Sequence, residues 1–199
     1  MNADEWDERY RSSELVWGTT PNRWVESELG GLPPGRALDV ACGEGRNALW
    51  LAARGWRVSA LDFSAVALDK GRLLESRQAG AAPVDWVRAD AASYRPAEPV
   101  DLALLCYLHL PRADWLAALS AAAEALGPGG TLLVIGHDTT NIEAGMGGPQ
   151  DPAVLFTAAE VVADLAGTDL VVDRAEAVHR PVDGAERPAI DALVRAHRP

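Results

Sequence analysis

Three carboxylates and one glycine turn in the first half of the chain have the types and spacing to do chemistry. Asp39 sits inside the apolar run Ala37–Ala41, Asp62 closes the run Val58–Leu61, and Asp90 closes the run Val84–Ala89. Gly43-Glu44-Gly45 follows the first run. A helical apolar pattern (Ala48, Leu49, Leu51, Ala52, Ala53) comes after it and breaks at Gly55. An acid at the carboxyl end of a strand can accept hydrogen bonds from paired hydroxyls, and a glycine turn entering a helix lets a ligand approach the backbone closely. Arg36 to Asp62 therefore outlines a strand–turn–helix–strand crossover suited to a nucleoside.

Charge decides which nucleoside. Gly43-Glu44-Gly45-Arg46-Asn47-Ala48 satisfies the Gly-x-Gly-x-x-Ala pattern of dinucleotide sites. A pyrophosphate there would face Asp39 and Glu44, and two unit charges about 6 Å apart repel by roughly 3 kcal/mol at an effective dielectric of about 20. An ammonium or sulfonium reverses that sign. S-adenosylmethionine carries both, with an adenosine and no phosphate. Asp39 and the Gly43 turn suit its amino-acid end, Asp62 its ribose hydroxyls, and Asp90 the adenine amino group.

With those residues in view, the chain resembles the class I S-adenosylmethionine-dependent methyltransferases. Leu38–Gly45 (LDVACGEG), Ala60–Ser64 (ALDFS) and Val87–Ala91 (VRADA) are similar to the family's first three motifs. Asp101–His109 (DLALLCYLH) is similar to the fourth, and Leu126–Val134 (LGPGGTLLV) to the turn into the fifth strand. Gly45–Ala52 (GRNALWLA) is also similar to small tellurite-resistance and thiopurine-type methyltransferases. The resemblance implies S-adenosylmethionine as cofactor, with S-adenosylhomocysteine as product. It places Asp39, Ala41, Gly43 and Gly45 at the methionine part, Asp62 at the ribose and Phe63 on the adenine face. Asp90 and Ala91 would read the adenine edge, and Cys106 would lie where the fourth-motif backbone passes the methyl donor.

Transfer of a methyl group is an in-line displacement at carbon, so the protein mainly aligns the partners and excludes water. A general base is needed only where the acceptor arrives carrying a proton. The catalytic candidates are Tyr107 and His109 after the fourth strand and His137, paired with Asp138, after the fifth. His179 and His197 are read as structural or exposed. Tyr10, Trp17 and Trp24, with Arg9, Arg11 and Arg23, precede the first strand and are read as a lid, Tyr10 and Trp17 over the cofactor. Gly145–Pro149 forms a second wall that includes Met146.

The elements that must position these groups alternate. Expected helices cover residues 3–10, Pro21–Leu29 with Thr20 as N-cap, about 15 residues from Ser64 to near Gly80, Asp114–Leu126 and Ala158–Ala166. Expected strands follow the apolar runs named above, then Val100–Tyr107 and Thr131–Gly136. His137–Pro152 reads as a long loop. Asp169–His179 and Ala189–His197 have no helix between them and should pair antiparallel at one edge. The fold class is thus α/β, a Rossmann-like seven-stranded, mostly parallel sheet with helices on both faces and a C-terminal antiparallel hairpin. The expected organisation is one methyltransferase domain over 1–199. Residues 1–35 are the lid, 36–136 the cofactor core and 137–199 the substrate side.

Composition bounds the partners. Lys plus Arg number 18 against 29 Asp plus Glu, a formal net charge of −11, and no basic run exists to grip nucleic acid or an anionic membrane. Cys42 and Cys106 lack partners at metal-ligand spacing, so free thiols and no metal are expected. The acidic start lacks the basic opening of a secretion signal, and no apolar segment approaches the ~18 residues of a membrane span. The expectation is a cytoplasmic enzyme with a small-molecule acceptor, its oligomeric state unassigned. An NAD(P)-dependent short reductase fits the glycine turn and Asp62, but Lys70 is the only lysine and no Tyr-x-x-x-Lys pair exists. A non-catalytic S-adenosylmethionine-binding protein would keep the three acids.

Overall fold

The computed structural model describes residues 2–78 and 80–199. Its strands are β1 (Arg36–Val40), β2 (Arg57–Asp62), β3 (Asp85–Arg88), β4 (Val100–Cys106), β5 (Leu126–His137), β6 (Val171–Arg180) and β7 (Ala189–His197). They form one sheet in the order β3-β2-β1-β4-β5-β7-β6. The first five pair parallel, and β7 pairs antiparallel with both β5 and β6. The helices are α1 (Ala3–Arg11), α2 (Arg23–Leu29), α3 (Arg46–Ala52), α4 (Ala65–Glu75), α5 (Arg112–Ala125), the short α6 (Asn141–Ala144) and α7 (Ala158–Asp164).

Side-chain alternation along the strands divides the core in two. Leu38, Val40, Ala103 and Leu105 pack with Trp115, Leu119 and Val161 of α5 and α7. Ala37, Leu102 and Leu104 pack with Val25, Leu49 and Leu51 of α2 and α3. Both faces of β1 and β4 are covered, which is why those strands read as nearly continuous apolar runs. The exceptions are polar residues at strand ends, where the site lies, and Asp191 inside β7.

Several boundaries differ from expectation for local reasons. Helix α2 starts after Asn22, not at Pro21. The Asn22 side-chain oxygen accepts the Trp24 N–H at 2.8 Å, a better cap than Thr20, while its own N–H donates to Asn47 Oδ1 at 2.9 Å. Ser64 caps α4 as expected, accepting the Ala67 N–H at 3.1 Å, but the helix stops at Glu75. The Glu75 carboxylate instead accepts the Val84 N–H and the Trp86 Nε1–H, each at 2.7 Å, and ties the helix end to β3. Helix α5 begins at Arg112, directly after Pro111. Strand β5 extends back through the Gly127–Gly130 segment, and the expected loop after it contains α6. Among the described residues no helix is long and apolar enough to cross a membrane.

Candidate functional site

The strand order reverses between β1 and β4, so the connections leaving their carboxyl ends run to opposite faces and open a crevice. The residues just after these strands, Ala41 (φ 58°) and Tyr107 (φ 59°), hold left-handed backbone, which costs a non-glycine residue about 1–3 kcal/mol and persists at sites where function demands it. A cleft of about 380 Å³ lies there, lined by Ala41, Asp62, Phe63, Asp90, Ala91 and Leu108. Asn2 and Ala3, at the start of α1, close its rim.

Asp62 lines the cleft yet is only 6% exposed. Its Oδ2 accepts the Gly43 N–H at 2.9 Å and its Oδ1 the Ser64 N–H at 2.8 Å, pinning the glycine turn to the start of α4. Burial pushes its pKa up. Asp90 is exposed and its Oδ1 accepts the Ala92 N–H at 2.8 Å, which sets the turn that carries Ala91. Gly43 has φ 57°, and a Cβ on it would stand 2.8 Å from the Tyr10 hydroxyl. Gly45 differs. The space where its Cβ would stand is filled by the Trp86 ring, 2.3 Å away, so this glycine makes room for a side chain of the fold.

Asp39 is 1% exposed, and neither carboxylate oxygen has a hydrogen-bond partner among the described residues. Burial pushes its pKa up to about 7, with the Arg46 guanidinium pulling the other way and Asp62 adding to the rise. Burial also pushes the Cys106 thiol, at the end of β4, up to about 12 and the Cys42 thiol well above its ordinary value. Neither cysteine is a thiolate near neutral pH.

Glu44 does not present its charge to the crevice. Its carboxylate, 1% exposed, accepts the N–H groups of Val16 (2.9 Å) and Trp17 (3.1 Å) and pairs with Lys70 Nζ at 3.2 Å. This corrects the expectation that Glu44 would repel or attract a ligand, because a neighbouring lysine already neutralises it. Lys70 also donates to the carbonyls of Tyr10 and Ser13. The chain's only lysine thus straps the segment 10–17 down over the glycine turn. Under that strap the Trp17 Nε1–H donates to the Tyr10 hydroxyl at 3.2 Å, and Arg9 lies over the Trp6 and Trp17 rings. Burial and the Asp62 charge push the Tyr10 pKa up.

On the other side of the β4 end, Tyr107, His109 and His137 come together. The His137 ring lies 4.8 Å from Tyr107 and stacks on His109 at 5.4 Å, centroid to centroid. His109 Nε2 accepts the His137 backbone N–H at 3.1 Å, and burial next to His137 drives its pKa down to about 3. It is a neutral acceptor. Asp138 is not the partner of His137, since its Oδ1 accepts the N–H (2.9 Å) and hydroxyl (2.7 Å) of Thr140. The partner is Asp191, opposite His137 in the β5–β7 register and fully buried. Asp191 Oδ2 accepts the Trp24 Nε1–H (3.1 Å), the Tyr107 hydroxyl (2.9 Å) and the Arg180 Nε–H (3.0 Å), while Oδ1 stands 3.3 Å from His137 Nδ1. Burial alone would raise its pKa. The contacts from His137, Arg180 and Tyr107 outweigh burial and hold it low. His179 is exposed, and His197 Nδ1 bonds Asp173 at 2.9 Å.

Residues 37–130 match a family model described as a methyltransferase domain. A trans-aconitate 2-methyltransferase of Streptomyces avermitilis is 36% identical over 108 residues, covering 50% of this chain and 38% of that enzyme. The chain thus matches well under half the length of this curated relative. Among solved structures, the N-methyltransferase NodS of Bradyrhizobium japonicum WM9, in complex with S-adenosyl-L-homocysteine, superposes with a TM-score of 0.75 over 100% of both chains at 18% identity. TehB of Haemophilus influenzae gives 0.71 over 99% of this chain and 67% of its own, at 16% identity. Residues 37–130 are thus similar to a methyltransferase domain, and the chain as a whole has the fold of these methyltransferase structures.

Within the methyltransferase fold, the expected residues fall into two groups on either side of the β4 end. Ala41, Asp62, Phe63, Asp90 and Ala91 line the cleft. Gly43 bonds Asp62 and lies beside Tyr10 and Trp17, while Asp39 is buried within β1 and Cys106 ends β4. Tyr107, His109 and His137 form the other group. Sequence reasoning missed Asp191 and Arg180 of the second group and gave Trp24 no polar role. One signal was present: Asp191 interrupts the apolar run Ala189–Val194, and a lone acid facing a core needs partners.

Proposed function

We propose that this chain binds S-adenosylmethionine in the β1–β4 cleft and catalyses methyl transfer to a small-molecule acceptor. The observation that carries the reading is Asp39, a fully buried carboxylate whose oxygens have no hydrogen-bond partner within normal geometry among the described residues. An isolated buried charge is costly, and a cationic ligand removes that cost. The rest of the cleft fits the same molecule. Asp62 offers carboxylate lone pairs to ribose hydroxyls, Phe63, Ala91 and Leu108 offer an apolar slot for a purine, and Asp90 sits at that slot's rim. Bound there, the cofactor supplies an electrophilic methyl group on a sulfonium. The strap over Gly43 excludes water from its amino-acid end, and Cys106 and Tyr107 hold the backbone wall beside the methyl position. The acceptor enters from the side of Tyr107, His109 and His137. The reading treats 1–199 as one domain, with 1–35 as lid, 36–136 as cofactor core and 137–199 as acceptor side.

Calorimetric titration tests this through protons as well as heat. With its pKa near 7, Asp39 is largely protonated at pH 6, and an ammonium placed beside it favours the ionised form. S-adenosylmethionine and S-adenosylhomocysteine should therefore bind with release of close to one proton at pH 6, fading toward zero above pH 8. The release is measured by repeating titrations in buffers of different ionisation enthalpy. Asp39→Asn should abolish it. In the ligand-free protein the same group works against the fold. The folded state keeps a proton that the unfolded carboxyl surrenders near pH 3.9, so stability falls as pH rises from about 4 to about 7, and the Asn variant should lack that decline. Tight NADH binding without response to S-adenosylhomocysteine would favour the reductase reading and defeat this one.

A further inference from the structure

We infer that His137 accepts the proton of the methyl-receiving atom, and that Asp191 prepares it by holding the imidazole proton on Nδ1. The acceptor is then one that must shed a proton from oxygen, sulfur or nitrogen, not one already a free anion. The inference rests on the methyl-transfer reading above.

The two Asp191 oxygens are used differently. Oδ2 is taken by three donors, Trp24 Nε1–H, Tyr107 O–H and Arg180 Nε–H, at 2.9–3.1 Å. Oδ1 is buried, lacks a hydrogen-bond partner among the described residues, and faces His137 Nδ1 at 3.3 Å. His137 Nδ1 is likewise buried and has no other partner among them. Two buried orphans at that distance satisfy each other only when the proton is on Nδ1, which leaves the lone pair on Nε2. No hydrogen bond among the described residues engages Nε2.

The neighbours leave His137 alone in this role. Facing it are Tyr107 and His109 after β4, Arg180 on β6 and Asp191 on β7, with Asp138 next in the chain. The Tyr107 hydroxyl donates to Asp191 and accepts from Arg180 (3.1 Å), His109 spends Nε2 on the His137 N–H, and Asp138 is held by Thr140. Gly148 flanks the ring: a Cβ there would stand 2.8 Å from Nε2, so the glycine keeps that edge clear. In the step, the X–H bond of the acceptor breaks and its proton goes to His137 Nε2. A bond forms from X to the methyl carbon, and the electron pair of the broken C–S bond stays on sulfur. The resulting imidazolium keeps its second N–H on Asp191, whose charge balances it.

The test uses Asp191→Asn, which preserves shape. Because three donors converge on the Oδ2 position, the amide must put its oxygen there and turn its NH₂ toward His137 Nδ1. Nδ1 then becomes an acceptor, and the proton moves to Nε2. Long-range ¹H–¹⁵N correlation spectra of the full-length labelled protein should show the Nδ1–H tautomer of His137 in the wild type and the Nε2–H tautomer in the variant. An Nε2–H wild type, or no change on substitution, overturns the inference without any acceptor being known. S-adenosylhomocysteine affinity should stay within about threefold in Asp191→Asn and His137→Gln. If the wild type itself fails to bind it, the methyl-transfer reading fails instead. On any acceptor found in a panel of phenols, thiols and amines, both variants should lose about 100-fold or more in kcat and lose the acid limb of the wild-type pH profile. Unimpaired kcat in either variant also overturns the inference.

Discussion

Lys70→Met should loosen the segment 10–17 from the glycine turn and cost about 3 kcal/mol of stability, read as a lower urea midpoint. The magnitude follows from what remains behind. Glu44 is buried and would keep its two backbone donors at Val16 and Trp17 but lose its one ion-pair partner among the described residues, and breaking a buried pair by removing one partner costs about 3–5 kcal/mol. The lower end applies because Lys70 is 19% exposed and the backbone bonds survive. The carbonyls of Tyr10 and Ser13 lose their donor in the same substitution. Limited proteolysis should then cut within the strap, and S-adenosylhomocysteine affinity should fall by about tenfold or more because Tyr10 and Trp17 no longer cover Gly43. Resistance to protease equal to that of the wild type would show that the strap does not depend on this lysine.

Asp62→Ala should have the largest effect on cofactor affinity, a loss of about 100-fold or more, together with about 2–4 kcal/mol of stability. The carboxylate is a structural acceptor twice over, for the Gly43 and Ser64 N–H groups. A buried donor left unpaired costs about 1–3 kcal/mol. The proposed ribose contact would vanish with it. Asp62→Asn separates the two roles, since the amide keeps one acceptor for the turn and sets a donor against the other N–H. Calorimetry and thermal melting together read this out. An alanine variant that binds S-adenosylmethionine normally would remove Asp62 from the site.

How far these features could be read from residues alone depended on their range. The three acids at strand ends, the glycine turn and the alternation of strand and helix are local signals, and the sheet followed from them, including the antiparallel pair beyond β5. Glu44 was misjudged because its sign was legible and its counter-ion was not. Lys70 lies a helix away, and nothing in the local pattern brings its amine to Glu44. Asp191 is the extreme case. Its partners Trp24, Tyr107, His137 and Arg180 come from α2, the ends of β4 and β5, and β6, and only the strand register makes them neighbours. Helix ends were misplaced where a contact with a distant element set the boundary, as Asn47 does with Asn22 and as the Glu75 carboxylate does with Val84 and β3.

The seating of β7 between β5 and β6 also has a consequence for biosynthesis. Strand β6 leaves the ribosome first but cannot join the sheet, because its only partner, β7, has not been made. Until β7 arrives, β5 offers an open parallel-sheet edge with Leu132 to Ile135 uncovered, the kind of surface that invites wrong pairing. Insertion of β7 seals that edge and brings Asp191 to Trp24, Tyr107 and His137 in one event. A nascent chain could therefore complete its nucleoside half early, while the half that would meet the acceptor stays unassembled until the final strand is in register.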